Sequence, residues 1–418
     1  MTASPLMSPR ADTLPRPDAH AGQASPAASL ARRLRTVGWR GLLNRPIARS
    51  EVAAPEARVS EAAHLSPRHA RLILPTLACA LAASAVFAAM TGAYAIPALA
   101  VLEALVAQVL GLFTQYTPSL VEPQHAAVLW SIRLPRVLMA IAVGAALGVS
   151  GALLQGLFRN PLADAGLIGV SSGAALAAAA VIVLGGPIAN RIAPGFMPWL
   201  LPVAGFVGGA LVLFAIRRLA SHEGQTSITG MLLAGVAMTA LAGAGIGLLL
   251  YLASDSQNRE WTFWSLGSLA RADAGIALGM AAVAVACTLF ATRLARALDA
   301  LALGEREALQ LGVDVERLKR QVTVLALMAT GAAVAFTGAI GFVGLVAPHM
   351  VRLAVGPAHG LLIPASALLG AILLVLADTV ARVIAAPAEL PIGILTALLG
   401  VPFFVMLLRR GLRGLHGV

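Results

Sequence analysis

Few side chains in this chain could do chemistry, and their types and spacing exclude most of it. Lys319 is the only lysine, and it stands between Leu318 and Arg320. A phosphate-cradling loop needs glycines for close backbone approach, then lysine and a hydroxyl residue, G-x-x-x-x-G-K-[ST], so the chain carries no such ATPase motif. No apolar stretch holds two histidines at i, i+4, the spacing that puts two imidazoles on one helix face toward a metal or a haem iron. Cys79 and Cys287 both fall within apolar stretches and read as small packing residues, with no disulfide or metal role. Asp164, Asp255, Asp273 and Glu389 fall at the ends of apolar stretches, and Asp378 has Arg382 one helical turn later as an ion-pair partner. An ion-coupled carrier would place ionisable groups near the bilayer midplane, and a membrane enzyme would bring titratable groups together. The pattern weakens the first reading and offers nothing to the second. No catalytic residue, no metal site and no cofactor bound by this chain is expected.

The elements that position these residues are apolar helices. The chain has 418 residues, 59% of them hydrophobic and only 12% charged, too much apolar surface for a soluble core. Its apolar stretches run to about 20 residues instead of alternating over about 10, which selects helices over a closed barrel. The expected fold class is an all-α integral membrane protein with ten spans, at roughly 72–94, 134–157, 165–186, 198–219, 228–252, 274–292, 320–338, 341–355, 361–385 and 391–409. Small residues recur at four-residue spacing in Gly144/Gly148, Gly169/Gly173, Gly205/Gly209 and Gly243/Gly247, which lets helix backbones approach closely.

The net charge is +11, and the basic residues lie between apolar stretches, where they orient helices; nucleic acid is not the expected partner. Residues 1–66 are rich in Pro, Ala, Ser and Arg and read as a disordered basic cytoplasmic tail, either retained or an overlong start; residues 67–418 read as the ten-span domain. With the N-terminus inside, the cytoplasmic segments after Arg71 hold 13 Lys or Arg. The outer segments hold six: Arg133, Arg136, Arg191, Arg259, Arg271 and Arg382. That bias places both termini in the cytoplasm, with membrane lipid around the spans.

The longest polar interruption after the tail runs from Arg293 to Arg320 and alternates leucine with charge at helical spacing. It reads as two short amphipathic helices broken near Gly304 and Gly312, either a docking surface or an ordinary connector.

Several long motifs occur in order: "RLPRVLMAIAVGAALGVSGALLQGLFRNPLADAGLIGVSSGA" (Arg133 to Ala174), "LALGEREALQLGV" (Leu301 to Val313), "GAIGFVGLVAPHMVR" (Gly338 to Arg352), "LADTVAR" (Leu376 to Arg382) and "ELPIGILTALLGVPFFVMLLRR" (Glu389 to Arg410). Over roughly residues 70–412 they resemble the permease subunits of type II ABC importers, the family that serves iron siderophores, haem and vitamin B12. The basic tail departs from that family's pattern. The resemblance implies a homodimer in the bacterial inner membrane, with a path at the dimer axis lined largely by the fifth span. It also implies two ATP-binding cassette ATPase subunits, which bind ATP and Mg and hydrolyse the nucleotide, and a periplasmic substrate-binding protein on the outer face.

By the same resemblance, Arg133 and Arg382, with Arg136 assisting, would meet carboxylates of the binding protein. Leu303, Gly304, Glu305, Leu311 and Gly312 would belong to coupling helices near 301–313 seated in the ATPase. His349 belongs to the family's "PH" motif. The cargo implied is an iron-containing chelate, with haem favoured because "REWTFWSLGSL" (Arg259 to Leu269) resembles the haem branch. Ferric siderophore and vitamin B12 are the alternatives, and an ion-coupled secondary transporter is a remote one. Trp261, Phe263 and Trp264 in that stretch also suit interfacial anchors.

Overall fold

A computed structural model describes residues 67–416 apart from 93, 95, 111–121, 186–196 and 387. The tail expected over 1–66 lies outside the described residues, as does Arg191. Among the described residues the helices, in chain order, are α1 (Pro67–Met90), α2 (Ala98–Leu110), α3 (Pro123–Phe158), α4 (Val170–Leu184), α5 (Met197–Ala220), α6 (Ile228–Leu252), α7 (Asp255–Ser265), α8 (Ala274–Arg293), α9 (Ala295–Leu303), α10 (Glu305–Gln310), α11 (Val315–Thr337), α12 (Val343–Val355), α13 (His359–Ile384) and α14 (Ile392–His416). A hairpin of β1 (Ser221–His222) and β2 (Gln225–Thr226) joins α5 to α6.

Hydrocarbon leaves the backbone no partner but itself, so the apolar runs close into helices, and short polar residues set where they begin. Ser227, Ser254, Asp273 and Asp314 each accept the N–H three residues on, capping α6, α7, α8 and α11. In α3 the helix passes through Pro135 by way of a π turn at Leu129–Arg133, which loosens the stretch where the proline ring would meet the carbonyl one turn back.

The all-α membrane architecture is the one expected, but helix length revises the spans. Among the described residues seven helices are long and apolar enough to cross a membrane: α1, α3, α5, α6, α8, α11 and α13. The expected third and eighth spans correspond to α4, of 15 residues, and α12, of 13 residues. At 1.5 Å per residue these reach only about 22 and about 20 Å, against a hydrocarbon core of about 30 Å. Positive φ at Gly169 and at Phe342 starts each of them late. α2 lies where the sequence reading places no span, and its 13 residues again fall short of one.

The core of the bundle is the antiparallel pair α3/α13. A Cβ on Gly144 would lie 2.3 Å from the Gly370 carbonyl oxygen, and one on Gly148 would lie 2.2 Å from that of Ser366. The two backbones therefore touch at these residues, with no room for any side chain between them. Gly173 on α4 meets the Gly208 carbonyl of α5 in the same way, at 2.5 Å. Two apolar clusters fill the space around α3, one centred on Leu153, Leu154 and Leu157 and the other on Val143, Ala146 and Leu147.

Candidate functional sites at the two ends of the helix pair

One end of the α3/α13 pair carries the three arginines expected to dock a partner. Arg136 of α3 donates through Nε to Asp378 Oδ1 at 2.9 Å, through Nη2 to the same oxygen at 2.9 Å, and through Nη1 to Glu389 Oε1 at 2.7 Å. Arg382 donates through Nε to Asp378 Oδ2 at 3.0 Å, so one carboxylate serves both guanidiniums. The rest of Arg382 and all of Arg133 turn to the C-terminal end of α1. Arg382 reaches the Thr91 and Ala88 carbonyls at 2.9 and 3.1 Å. Arg133 reaches those of Ala89 and Met90 at 2.7 and 3.1 Å and that of Tyr94 as well.

The last turn of α1 has no basic residue of its own, and its unpaired carbonyls carry the negative end of the helix dipole. Two guanidiniums from other helices satisfy them. As a result Arg133, Arg136 and Arg382 are only 5%, 7% and 9% exposed. All three side chains turn inward, Arg133 and Arg382 onto the end of α1 and Arg136 onto Asp378 and Glu389. Glu389 also lines a cavity of about 300 Å³ with Trp264, Arg271 and Phe336. Trp264 is buried against Ala174, Ala178 and Val334 and stacks on Trp261, so it is a packing residue and not an interfacial anchor; Phe263 is exposed.

The other end carries the polar connector, which forms α9 and α10 with a break at Gly304 and a turn at Gly312, as expected. Gly304 has φ +137° and Gly312 φ +82°, conformations that side chains disfavour, so both turns call for glycine. Leu303 and Leu311 are 68% and 63% exposed, and Leu309, missed in the sequence, is 58% exposed. These three leucines project from an element whose other face is packed through Leu298, Leu301 and Ala308. Glu305 faces inward and pairs with Lys319 at 2.9 Å.

Lys319 is a hub rather than a bystander. Its ammonium is buried and also donates to the Thr226 carbonyl at 2.8 Å and Glu316 at 3.0 Å, tying connector, α11 and hairpin together. The signal for this was legible: Val315, Leu318, Lys319, Val322, Thr323 and Ala326 form the buried stripe of α11, so Lys319 falls on the apolar face. A second tie is Asp299 of α9, which accepts the His359 backbone N–H at 2.9 Å and sits 2.6 Å from His359 Nδ1. The capping position Ala358 has no side-chain acceptor, so Asp299 caps α13 from another helix. Among the described residues no cluster of His, Cys, Asp and Glu could hold a metal ion.

The chain that builds this arrangement, a glycine-backed helix pair with an ionic network at one end and an apolar connector at the other, is similar in sequence and fold to known proteins. The haemin transport system permease protein HmuU of Yersinia pestis is 45% identical over 285 residues, covering 67% of this chain and 82% of that one. The cobalamin import system permease protein BtuC of Halobacterium salinarum is 44% identical over 291 residues, covering 69% and 75%. A solved structure described as an inward-facing conformation of a metal-chelate type ABC transporter superposes with a TM-score of 0.67 at 31% identity, covering 81% of this chain and 99% of that one. The model of the FecCD transport family matches residues 80–410, and this chain belongs to that family as a transport subunit of ABC permease type.

Proposed function

We propose that this chain is the permease of an ATP-driven importer that moves an iron-containing chelate, haem in the first instance, from a periplasmic binding protein to the cytoplasm by alternating access. The single observation that carries the reading is the connector: three exposed leucines on a glycine-broken element, anchored through Glu305 and Asp299 to separate helices. An apolar surface held this firmly suits a partner that pushes on it, and the partner proposed is a pair of ATPase subunits that bind ATP and Mg. The connector end is then cytoplasmic, the arginine end faces the periplasm, and both termini lie inside the bacterial inner membrane's cytoplasmic face. Nucleotide need only favour one facing of the permease over the other, since a ligand shifts an equilibrium by its differential affinity.

The homodimer is supported by α6, whose Leu233, Val236, Leu241, Leu248 and Tyr251 are exposed. Of the four small-residue pairs, Gly243 and Gly247 on α6 meet nothing within 4 Å, whereas Gly144 and Gly148 are filled by α13. A second copy packed there would put α6 at the axis and leave the path between the subunits. The binding protein would dock at the arginine end, where three guanidiniums against two carboxylates leave one net positive charge under the turn after α1. Haem rests on the relative at 45% identity, and a cobalamin permease at 44% keeps vitamin B12 as the second reading, with ferric siderophore beside it.

The test is to purify the chain with its ATPase in lipid vesicles and ask which substrate, loaded on its binding protein, stimulates hydrolysis. Stimulation by haem-loaded protein, with uptake that stops without ATP, is expected. Uptake that persists without ATP and collapses with an uncoupler would overturn the reading in favour of ion coupling.

A further inference from the structure

The helix pair α3/α13 is clamped at both ends and along its length in a single register. Arg136 pairs with Asp378, Gly144 abuts Gly370, Gly148 abuts Ser366, and Gly156 abuts His359, so the steps along α3 are matched to within one residue by steps back along α13. From Arg136 to Gly156 the pair runs about 30 Å at 1.5 Å per residue. Backbones in contact through glycine cannot slide past one another without a clash, because no flexible side chain lies between them. The pair therefore behaves as one rod.

The connector packs on this rod through Leu298 and Leu301, which share a buried cluster with Leu154 and Leu362, and its polar hold is on the ring of His359. His359 is buried, Asp299 of α9 holds both its backbone N–H and its Nδ1, and its Nε2 faces α3, where a Cβ on Gly156 would lie 2.4 Å away. Among the described residues Nε2 has no hydrogen-bonding partner, and on that side the ring packs against α3 at Gly156. The far end of the rod holds Asp378 and Arg136, which gather Arg382 and, through α1, Arg133.

We propose that His359 is a positioning residue of the transport cycle, the wedge between Asp299 and Gly156 through which displacement of the connector moves α3 and α13 together and so reaches the arginine end. This rests on the reading of the chain as an ATP-driven permease. Removing the ring leaves the rod and the apolar packing of Leu298 and Leu301 in place but takes away the polar hold of Asp299 and the wedge against Gly156, so the connector shifts without carrying the rod with it.

The test uses the importer assembled with its ATPase and binding protein in vesicles, with a fluorophore on Ile384→Cys, an exposed position near the end of α13, after Cys79 and Cys287 are replaced. His359→Ala and Gly156→Ala are each expected to keep ATPase association within twofold, to lower substrate moved per ATP fivefold or more, and to abolish the nucleotide response of the fluorophore. Gly156→Ala removes no polar group and acts only by displacing the ring. His359→Asn, whose amide can donate to Asp299 from the place of Nδ1, is expected to restore at least half of the lost coupling. A wild-type ratio and a wild-type fluorophore response in both alanine variants would overturn the inference while leaving the permease reading intact. If His359→Ala misfolds, Gly156→Ala and His359→Asn still decide it. A wild-type chain that neither binds the ATPase nor answers nucleotide would sink the permease reading itself, and this role of His359 with it.

Discussion

At the arginine end, three guanidiniums and the central carboxylate of Asp378 are under a tenth exposed and only Glu389, 45% exposed, reaches the surface, whereas at the connector end both carboxylates, Asp299 and Glu305, stay 43% and 38% exposed and three leucines face outward. Both ends use ion pairs between distant segments, yet to different effect. A buried network whose lone pairs and protons are all satisfied fixes one geometry and is costly to break from one side. A half-exposed pair is screened by water, so losing its carboxylate costs less. The arginine end is thus the more deeply buried one, organised around Asp378 and the carbonyls of α1, and the connector end offers an apolar surface on water-screened supports.

The strongest test of this contrast is Asp378→Ala. It strands Arg382 without a carboxylate and leaves Arg136 with Glu389 alone, and should cost about 3–5 kcal/mol. Thermal unfolding in detergent and the yield of monodisperse protein would register this; a near-wild-type melting temperature would mean that the network is not holding the fold.

A smaller effect is expected from Leu303→Asp combined with Leu311→Asp. Both side chains are exposed, so the permease should fold as before while its affinity for the ATPase falls roughly 30- to 150-fold, about 2–3 kcal/mol. Titration of the ATPase onto immobilised permease measures this, and unchanged affinity would return the connector to the status of a linker.

The smallest effect belongs to Glu305→Gln. Lys319 retains Glu316 and the Thr226 carbonyl, and Glu305 is partly exposed, so the loss should stay below about 1 kcal/mol. Glu305→Gln and Asp378→Ala measured side by side sharpen the comparison: equal destabilisation would erase the distinction between the two ends.

The sequence by itself determined the membrane-helical class, because a chain this apolar can satisfy its backbone in lipid only through helices or a closed barrel, and its apolar stretches are too long for barrel strands. It also determined the connector and its breaks, because leucines at helical spacing between Gly304 and Gly312 describe an amphipathic element with two special turns. The family was legible because long motifs such as Arg133 to Ala174 stand intact and in order.

Sequence position alone could not decide how Arg133, Arg136 and Arg382 are used. An arginine at a span end reads as exposed until the C-terminal end of α1 is seen to lie against Arg133 and Arg382 and to offer them its carbonyls. The start of α4 was hidden because hydropathy continues through Gly169, whose positive φ interrupts the helix without interrupting the apolar run, whereas the short α12 was read within two residues of its observed bounds. Lys319 with Glu305, 14 residues apart, and Asp299 with His359, 60 residues apart, are pairs that only tertiary structure could join. The partner of a charge is chosen by the packing of helices around it, and in the α3/α13 pair that packing depends on glycines whose contacts lie more than 200 residues away.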